Sequence, residues 1–180
     1  MRRSPLPCGF AIVFALLLPV RAGGTSMVPQ TLDELSTKSD AVVRVTTLAT
    51  RSEWRNRVIV TIARMRVTDA LLGTLAPGQV IEVTTLGGVV DGVELRVPGA
   101  PHFAAGEDDV LFLGPGKLAD WQVTDLAQGK FEVVRDSSGR EFLGRRDMEG
   151  VELPLGGAVP ARLGIENLRQ RVRGALRVGR

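Results

Sequence analysis

The sequence predicts a mainly β domain, arranged chiefly as an antiparallel barrel, with a short N-terminal helix and a C-terminal amphipathic helix. Segments rich in β-branched residues recur about every 8–15 residues, and glycine, proline and aspartate separate them. Helical patterns occur only at the two ends of the domain. About seven or eight short strands with this spacing favour a closed or nearly closed barrel. A sandwich of two sheets is the alternative.

The first element is a short helix. Residues 31–34 (TLDE) have the spacing of a capping box, in which the Thr31 hydroxyl accepts from a helical N–H and Glu34 reaches back to the cap. The leucines at 32 and 35 give this helix one apolar side, and we expect it to end near Ser39.

Strands follow the first helix. The clearest is 58–72, where the alternate residues from Ile59 to Val67 share one face and Arg64 and Arg66 share the other. The predicted strands are 41–50, 58–72, 79–86, 93–97, 109–113, 121–126, 130–135 and 140–143. We expect the last three to form a meander whose final hairpin turn is 136–139 (DSSG).

The C-terminal segment 161–180 predicts a basic amphipathic helix. It contains six arginines and only one acidic residue, Glu166. One side of the helix is apolar and consists of Ile165, Leu168, Val172, Ala175 and Leu176. We expect this side to pack on the domain itself. Docking on acidic lipid head groups or on a partner is the alternative.

Residues 1–22 have the three parts of a secretory signal peptide. Arg2 and Arg3 precede an apolar run at 10–20, and Ala22 ends a possible cleavage site. As a helix, this run covers only about half of a ~30 Å hydrocarbon core. We therefore expect export to the periplasm or the medium, with cleavage near Ala22–Gly23 and no membrane span afterwards. The remaining chain divides into a linker (23–30), the β domain (31–152), a second linker (153–160) and the helix at 161–180.

Composition excludes several classes of function. The signal peptide carries three arginines and no acid, so the mature chain has 20 basic and 20 acidic residues. The high isoelectric point of the whole chain is therefore no argument for nucleic-acid binding. The one cysteine, Cys8, lies in the signal peptide, so the mature chain has no disulfide, no thiolate nucleophile and no cysteine ligand for a metal.

Several short segments carry a family resemblance. They are 39–43 (SDAVV), Thr61 in a long strand that closes on 71–73 (LLG), 106–113 (GEDDVLFL) and 128–131 (QGKF). With this order the chain resembles uncharacterised exported bacterial β-barrel proteins. More distantly, it is similar to the netrin-like domain of tissue inhibitors of metalloproteinases, which is an OB-type barrel. The resemblance implies that fold. It also implies protease inhibition, but those inhibitors bind the protease zinc through an N-terminal cysteine, which the mature chain lacks.

The candidates for chemistry are few. His102 is the only histidine, in a loop rich in glycine, proline and alanine, and no nucleophile motif accompanies it. The acidic cluster Glu107, Asp108 and Asp109 could bind a cation, but adjacent strand residues point to opposite faces. Trp54 lies in a predicted loop with three arginines (51, 55 and 57), which would suit an anionic or sugar ligand.

These observations predict an exported, non-catalytic binding or accessory domain, with no catalytic residue, metal site or cofactor. The ligand and the partner are open: another exported protein is one candidate, and a nucleic acid is not expected. The oligomeric state is open. One alternative is a protein-directed module, such as a protease inhibitor, that acts by covering a surface. The other is a metal-assisted hydrolase built on His102, Glu107, Asp108 and Asp109.

Overall fold

A computed structural model describes residues 25–116, 120–145, 151–152 and 163–178. The predicted signal peptide, with Cys8, and the predicted linker 153–160 lie outside these residues. The helices and strands are β1 (Thr25–Ser26), α1 (Leu32–Lys38), β2 (Ala41–Arg55), β3 (Val58–Leu72), β4 (Val80–Leu86), β5 (Gly88–Val90), β6 (Val93–Leu95), β7 (Asp108–Pro115), β8 (Trp121–Val123), β9 (Lys130–Arg135), β10 (Glu141–Gly144), β11 (Val151–Glu152) and α2 (Ile165–Val178). The prediction of a mainly β fold with a helix near each end is confirmed. Neither of these two helices is long and apolar enough to cross a membrane.

The main sheet has seven strands in the order β10-β9-β7-β2-β3-β4-β8. Because β8 also pairs with β7, five of its strands (β2, β3, β4, β8 and β7) form a ring within one sheet. The ring is not the closed barrel that the sequence predicted. Its strands pair antiparallel except β4 and β8, which share only the parallel pair Val83–Trp121. The ring is therefore open where these two strands separate.

The predicted meander of the last three strands is wrong in one respect, because β8 and β9 do not pair with each other. Both pair with the same edge of β7, β8 from Leu113 to Pro115 and β9 from Asp109 to Leu111. A 3-10 turn at Leu126–Gly129 carries the chain from one to the other. Only β9 and β10 form a hairpin, and its turn at 136–139 is as predicted.

The β2–β3 hairpin is longer than predicted. Strand β2 continues to Arg55, so the predicted arginine-rich loop is mostly strand. The turn consists of Asn56 and Arg57, whose φ angles are 48° and 69°. Two successive positive φ values match the twist of a two-residue hairpin turn, and asparagine is well suited to the first position.

Helix α1 begins and ends as the sequence predicts. The Glu34 amide donates to the Thr31 hydroxyl (3.2 Å), and the Thr31 amide donates to the Glu34 carboxylate (2.8 Å). These two bonds complete the capping box, and Ser39 follows the last helical residue.

Two apolar cores lie on opposite faces of the sheet. Inside the ring, Ala63, Met65 and Val67 of β3 are buried, which confirms the predicted alternation along this strand. The second core lies between the outer face and the two helices, and consists of buried side chains such as Leu35, Phe112, Phe131, Leu168 and Val172.

Helix α2 packs on its own domain, as predicted. Leu168 and Val172 are fully buried in the second core. The Arg169 side chain donates to the Asp69 carboxylate and, at 3.4 Å, to the Ala70 carbonyl. The apolar side of the helix is therefore a structural contact.

Shortening a buried apolar side chain of α2 should destabilise the whole domain. We expect Leu168→Ala to lower the free energy of unfolding by about 2–5 kcal/mol, because it leaves a cavity in the second core. The control is Gln170→Ala on the exposed side of the same helix, which should change stability by less than about 0.5 kcal/mol. Thermal unfolding measures both. Equal midpoints for the two variants would contradict the packing of α2.

Candidate functional site

The predicted acidic cluster is divided between two faces of β7, as the alternation of strand side chains requires. The Asp108 carboxylate accepts from Arg44 Nε at 2.8 Å. Asp109 is fully buried on the other face, with one carboxylate oxygen 3.8 Å from Lys130 Nζ. These two carboxylates therefore do not converge on one point.

The buried side-chain ammonium group of Lys130 lies beside Asp109. Lys130 is only 8% exposed, and its Nζ donates to the His102 carbonyl and lies 3.3 Å from a Glu107 carboxylate oxygen. It also lies 4.8 Å from the centre of the Phe103 ring, a cation–π distance. No group of three histidine, cysteine or acidic side chains suited to a metal ion occurs in the part of the chain that the structure describes. The residues of the hydrolase alternative are thus not assembled as a ligand set.

The other carboxylate, Asp108, belongs to a charged network on the sheet surface. The Arg44 guanidinium bridges the carboxylates of Asp108 and Glu141, and its Nη1 lies 2.8 Å from a Glu141 carboxylate oxygen. Arg135 Nη2 lies 2.7 Å from the other carboxylate oxygen of Glu141. Hydrogen bonds from Arg44 and then Arg135 lower the pKa of Glu141 to about 2. The network joins β2, β7, β9 and β10, so its role is structural.

The hairpin tip holds the predicted aromatic and arginine residues, but most of the charges are already paired. Trp54 is 49% exposed. Arg51 Nη1 lies 2.9 Å from a Glu82 carboxylate oxygen on β4. Arg55 pairs with the glutamate two residues earlier and, at 3.4 Å, with Asp120. A free anion would therefore have to compete with carboxylates of the same chain.

A cleft of about 330 Å³ lies where β4 and β8 separate. The two strands share the pair Val83–Trp121 and no further pair, because all three residues of β8 pair with β7. One side of the cleft is formed by residues of β3 and β4, and the other by β8 and the turn after it. The lining residues are Arg55, Asn56, Val58, Val60, Thr84, Thr85, Leu86, Pro101, Asp120, Gln122, Val123 and Leu126.

The lining is largely apolar, with a few polar groups. Val58, Leu86 and Leu126 are exposed although they are large and apolar. Thr84 is only 8% exposed, and its hydroxyl oxygen has no hydrogen-bond partner among the described residues. A buried hydroxyl without a partner is unfavourable unless a ligand or water supplies one. A mostly apolar cleft with a few polar groups is typical of binding sites.

Strand β4 also presents backbone groups to the opening. The Val67 amide donates to the Gln79 carbonyl and the Gly87 amide to the Ile59 carbonyl, each at 2.9 Å. Since antiparallel pairing alternates and the register between is regular, the odd-numbered residues of β4 bond to β3. The amide and carbonyl of Leu86 therefore point away from β3, towards the side of β4 that β8 contacts only at Val83. They have no partner there among the described residues.

The sequence did not single out most of these residues. Of the cleft lining, only Arg55 belonged to a segment that the sequence singled out as a candidate binding feature. Thr84 and Leu86 could not be distinguished from other strand residues, because their position depends on the distant strand β8. Lys130 carried one signal, since it is one of few lysines and precedes the apolar part of a strand.

Comparisons with known proteins do not extend these observations. No protein-family model matches the sequence, and no curated protein matches it significantly. The function must therefore be inferred from the geometry of the cleft.

Acid should weaken the network around Glu141. Since the pKa of Glu141 is lowered on folding, its carboxylate stabilises the fold above about pH 4.5, and this contribution is lost as the pH falls towards about 2. We expect the stability of Glu141→Gln to fall less steeply than that of the wild type between these values, as measured by urea unfolding. Glu94→Gln, which removes an exposed carboxylate paired with Arg96, is the control and should follow the wild type. If the stability of Glu141→Gln and of the wild type fell equally steeply with pH, this would contradict the lowered pKa of Glu141.

Proposed function

We propose that this protein is an exported, non-catalytic binding domain, and that its ligand site is the cleft between β4 and β8. The observation that carries this proposal is the combination, in one opening, of exposed apolar side chains, a buried hydroxyl with no partner in the described part of the chain, and an open strand edge. The exposed apolar side chains and the buried hydroxyl are unfavourable in the free protein, and a ligand would relieve both.

The size and lining of the cleft support binding. Its volume of about 330 Å³ lies at the lower end of the range for ligand sites, roughly 300–1,000 Å³. Covering the exposed parts of Val58, Leu86 and Leu126 would contribute about 25 cal/mol for each Å² of apolar surface removed from water.

The charged groups of the cleft support a non-catalytic role. Arg55 and Asp120 are paired with each other at 3.4 Å, and His102 is not among the lining residues. General acid–base catalysis needs a side chain that exchanges a proton with the substrate, and Asp120, the one carboxylate among the described lining residues, is held by Arg55.

The ring supports the finer proposal of an OB-type barrel related to the netrin-like domain. OB folds are five-stranded and partly open, and the ring has five strands and one opening. A protein-directed inhibitor that acts by covering a surface is the second candidate function. The observation that favours it is the half-exposed side chain of Trp54, which lies next to the turn at the tip of the β2–β3 hairpin. Exposed aromatic residues are frequent anchors in protein interfaces.

Export is part of the proposal and is supported by the sequence of residues 1–22. The intact mass of the protein from the envelope or medium of its producing cells tests it. A chain that retains residues 10–20 would contradict it.

An apolar anionic dye tests the cleft directly. We expect 8-anilinonaphthalene-1-sulfonate to bind the folded protein at one saturable site, measured by its fluorescence. Val58→Glu places a carboxylate in the apolar lining and should weaken dye binding about tenfold or more.

The control is Val89→Glu. Both valines are exposed strand residues, 39% for Val58 and 58% for Val89, but Val89 does not line the cleft. Dye binding to this variant should stay within about twofold of the wild type. Equal losses in the two variants, or no saturable binding to the wild type, would rule out the cleft as a ligand site.

A further inference from the structure

We propose that two copies of this chain pair through the outer end of β2, antiparallel and about a two-fold axis, so that their sheets join. The paired segment is 50–54, and Ser52 faces the partner's Ser52. The interface lies on the free edge of β2, whereas the cleft lies between β4 and β8, so this inference goes beyond the proposed function and does not depend on it.

The outer end of β2 has a neighbouring strand on one side only. Strand β7 pairs with β2 along Ala41–Thr46, and Thr47 makes the last backbone bonds on that side, to the loop before β7. From there to Arg55, β2 has β3 as its one partner among the described strands. Residues 49–55 therefore form an open strand edge.

The backbone groups that face this edge belong to Thr50, Ser52 and Trp54. The Ile59 carbonyl accepts from the amide that follows β4 at 2.9 Å, so Ile59 bonds towards β4 and away from β2. Trp54 is directly opposite Ile59, and the backbone groups of such a pair both point outward. Since the register has no shift beyond position 49, Ser52 and Thr50 point the same way as Trp54. Their amides and carbonyls have no backbone partner in the described part of the chain.

The edge is accessible to another strand. Thr50 is exposed and Trp54 is half exposed. Gly88 of β5 lies against the side chains of Ser52 and Thr61, so β5 covers the face of the hairpin and not its edge. The segment 49–55 contains neither proline nor lysine, which often block pairing at strand edges.

The sequence of this edge is complementary to itself in one register. In an antiparallel pair, residues with outward backbone groups face each other, so Ser52 can face the partner's Ser52, Thr50 or Trp54. The first register places Arg51 opposite the partner's Glu53 and Glu53 opposite the partner's Arg51. The second places two copies of Arg51 opposite each other, and the third two copies of Glu53. Like charges directly opposite are destabilising, so charge selects the first register.

This register also uses all the outward backbone groups. Thr50 faces the partner's Trp54, Trp54 faces the partner's Thr50, and Ser52 lies on the axis. Each of these three pairs exchanges two backbone hydrogen bonds, about six in total. An aromatic residue opposite a β-branched one is favourable across strands. Pairing of one patch with itself about a two-fold axis gives a closed dimer, the commonest symmetric oligomer.

The ion pairs within the chain are compatible with this pairing. Arg51 Nη1 lies 2.9 Å from Glu82, and Arg55 Nε lies 2.6 Å from Glu53. A guanidinium has five N–H donors and can hold two carboxylates, as Arg44 does in the network on β2. The Arg51 and Glu82 side chains are 52% and 44% exposed, so their pair contributes little. Charge therefore selects the register, while the backbone bonds and Trp54 provide most of the affinity.

Sedimentation of the exported protein tests the dimer. We expect the mass to rise from one chain to two between about 1 and 500 µM, a range that suits a small interface. Arg51→Glu should raise the dissociation constant about tenfold or more, because it faces the partner's Glu53. The control is Arg66→Glu, the same charge change on the same face of β3, which should stay within about threefold of the wild type. A wild type that stays monomeric, or equal effects of the two variants, would overturn the proposal.

Glu53→Arg is the complementary variant. It faces the partner's Arg51 and should weaken self-association as Arg51→Glu does. A mixture of the two variants has opposite charges at both positions, and should form mixed dimers with a dissociation constant within about threefold of the wild type. This recovery would also show that both variants fold. A mixture that remains monomeric would overturn the pairing.

Cysteine substitution tests the register. In a Cys8→Ser background, a substituted cysteine is the only one in the chain. Ser52→Cys brings two cysteines together at the axis, where a Cα–Cα distance of about 5.5 Å suits a disulfide. Thr50→Cys is the matched control, because its two copies lie four residues apart along the strands, or about 13 Å. Mild oxidation should cross-link Ser52→Cys and leave Thr50→Cys uncross-linked, and equal cross-linking of the two would overturn the register.

Discussion

The pairing of β7 with three other strands is the constraint on which the rest of the structure depends. One edge of β7 bonds to β2, and the other edge is divided between β8 and β9. The part paired with β8 completes the ring, while β9 and β10 continue the sheet outwards, where the two helices cover it. Since β8 has only three residues and pairs with β7 along its length, it reaches β4 at a single position. The opening of the ring therefore follows from the division of one strand edge.

The same strand explains the distribution of polar groups. Both faces of β7 are covered, with Phe112 towards the helices and Leu111 inside the ring, which accounts for its nearly continuous apolar sequence. Asp109 lies at the start of this strand where burial is complete, and the ammonium of Lys130 from β9 lies beside it. The acidic cluster is thus part of the sheet, and the edge of β4 next to β8 is the place where the ring remains incomplete.

The sequence predicted those elements that depend on neighbouring residues. The capping box of α1, strand β3 and the last hairpin turn each have a local signal and lie where it indicates. The order of β8 and β9 along β7 depends on residues distant in sequence, which propensity and periodicity do not encode. The end of β2 looked like a loop because arginines and polar residues replace β-branched ones, although arginine tolerates an exposed strand face. The cleft was not predictable either, because it lies between β4 and β8, and the position of β8 is set by its pairing with β7, a strand distant in sequence from β4.

The most direct test is the hydrogen exchange of individual backbone amides in β4 of the free protein, measured by NMR. The Thr85 amide, on the β3 side, should exchange slowly, and the adjacent Leu86 amide, on the open edge, should exchange at least about a hundredfold faster. That difference between adjacent residues would establish that the edge is available to a partner. Equally slow exchange of the two amides would mean that the edge is already covered, and would contradict both the open ring and the binding site derived from it.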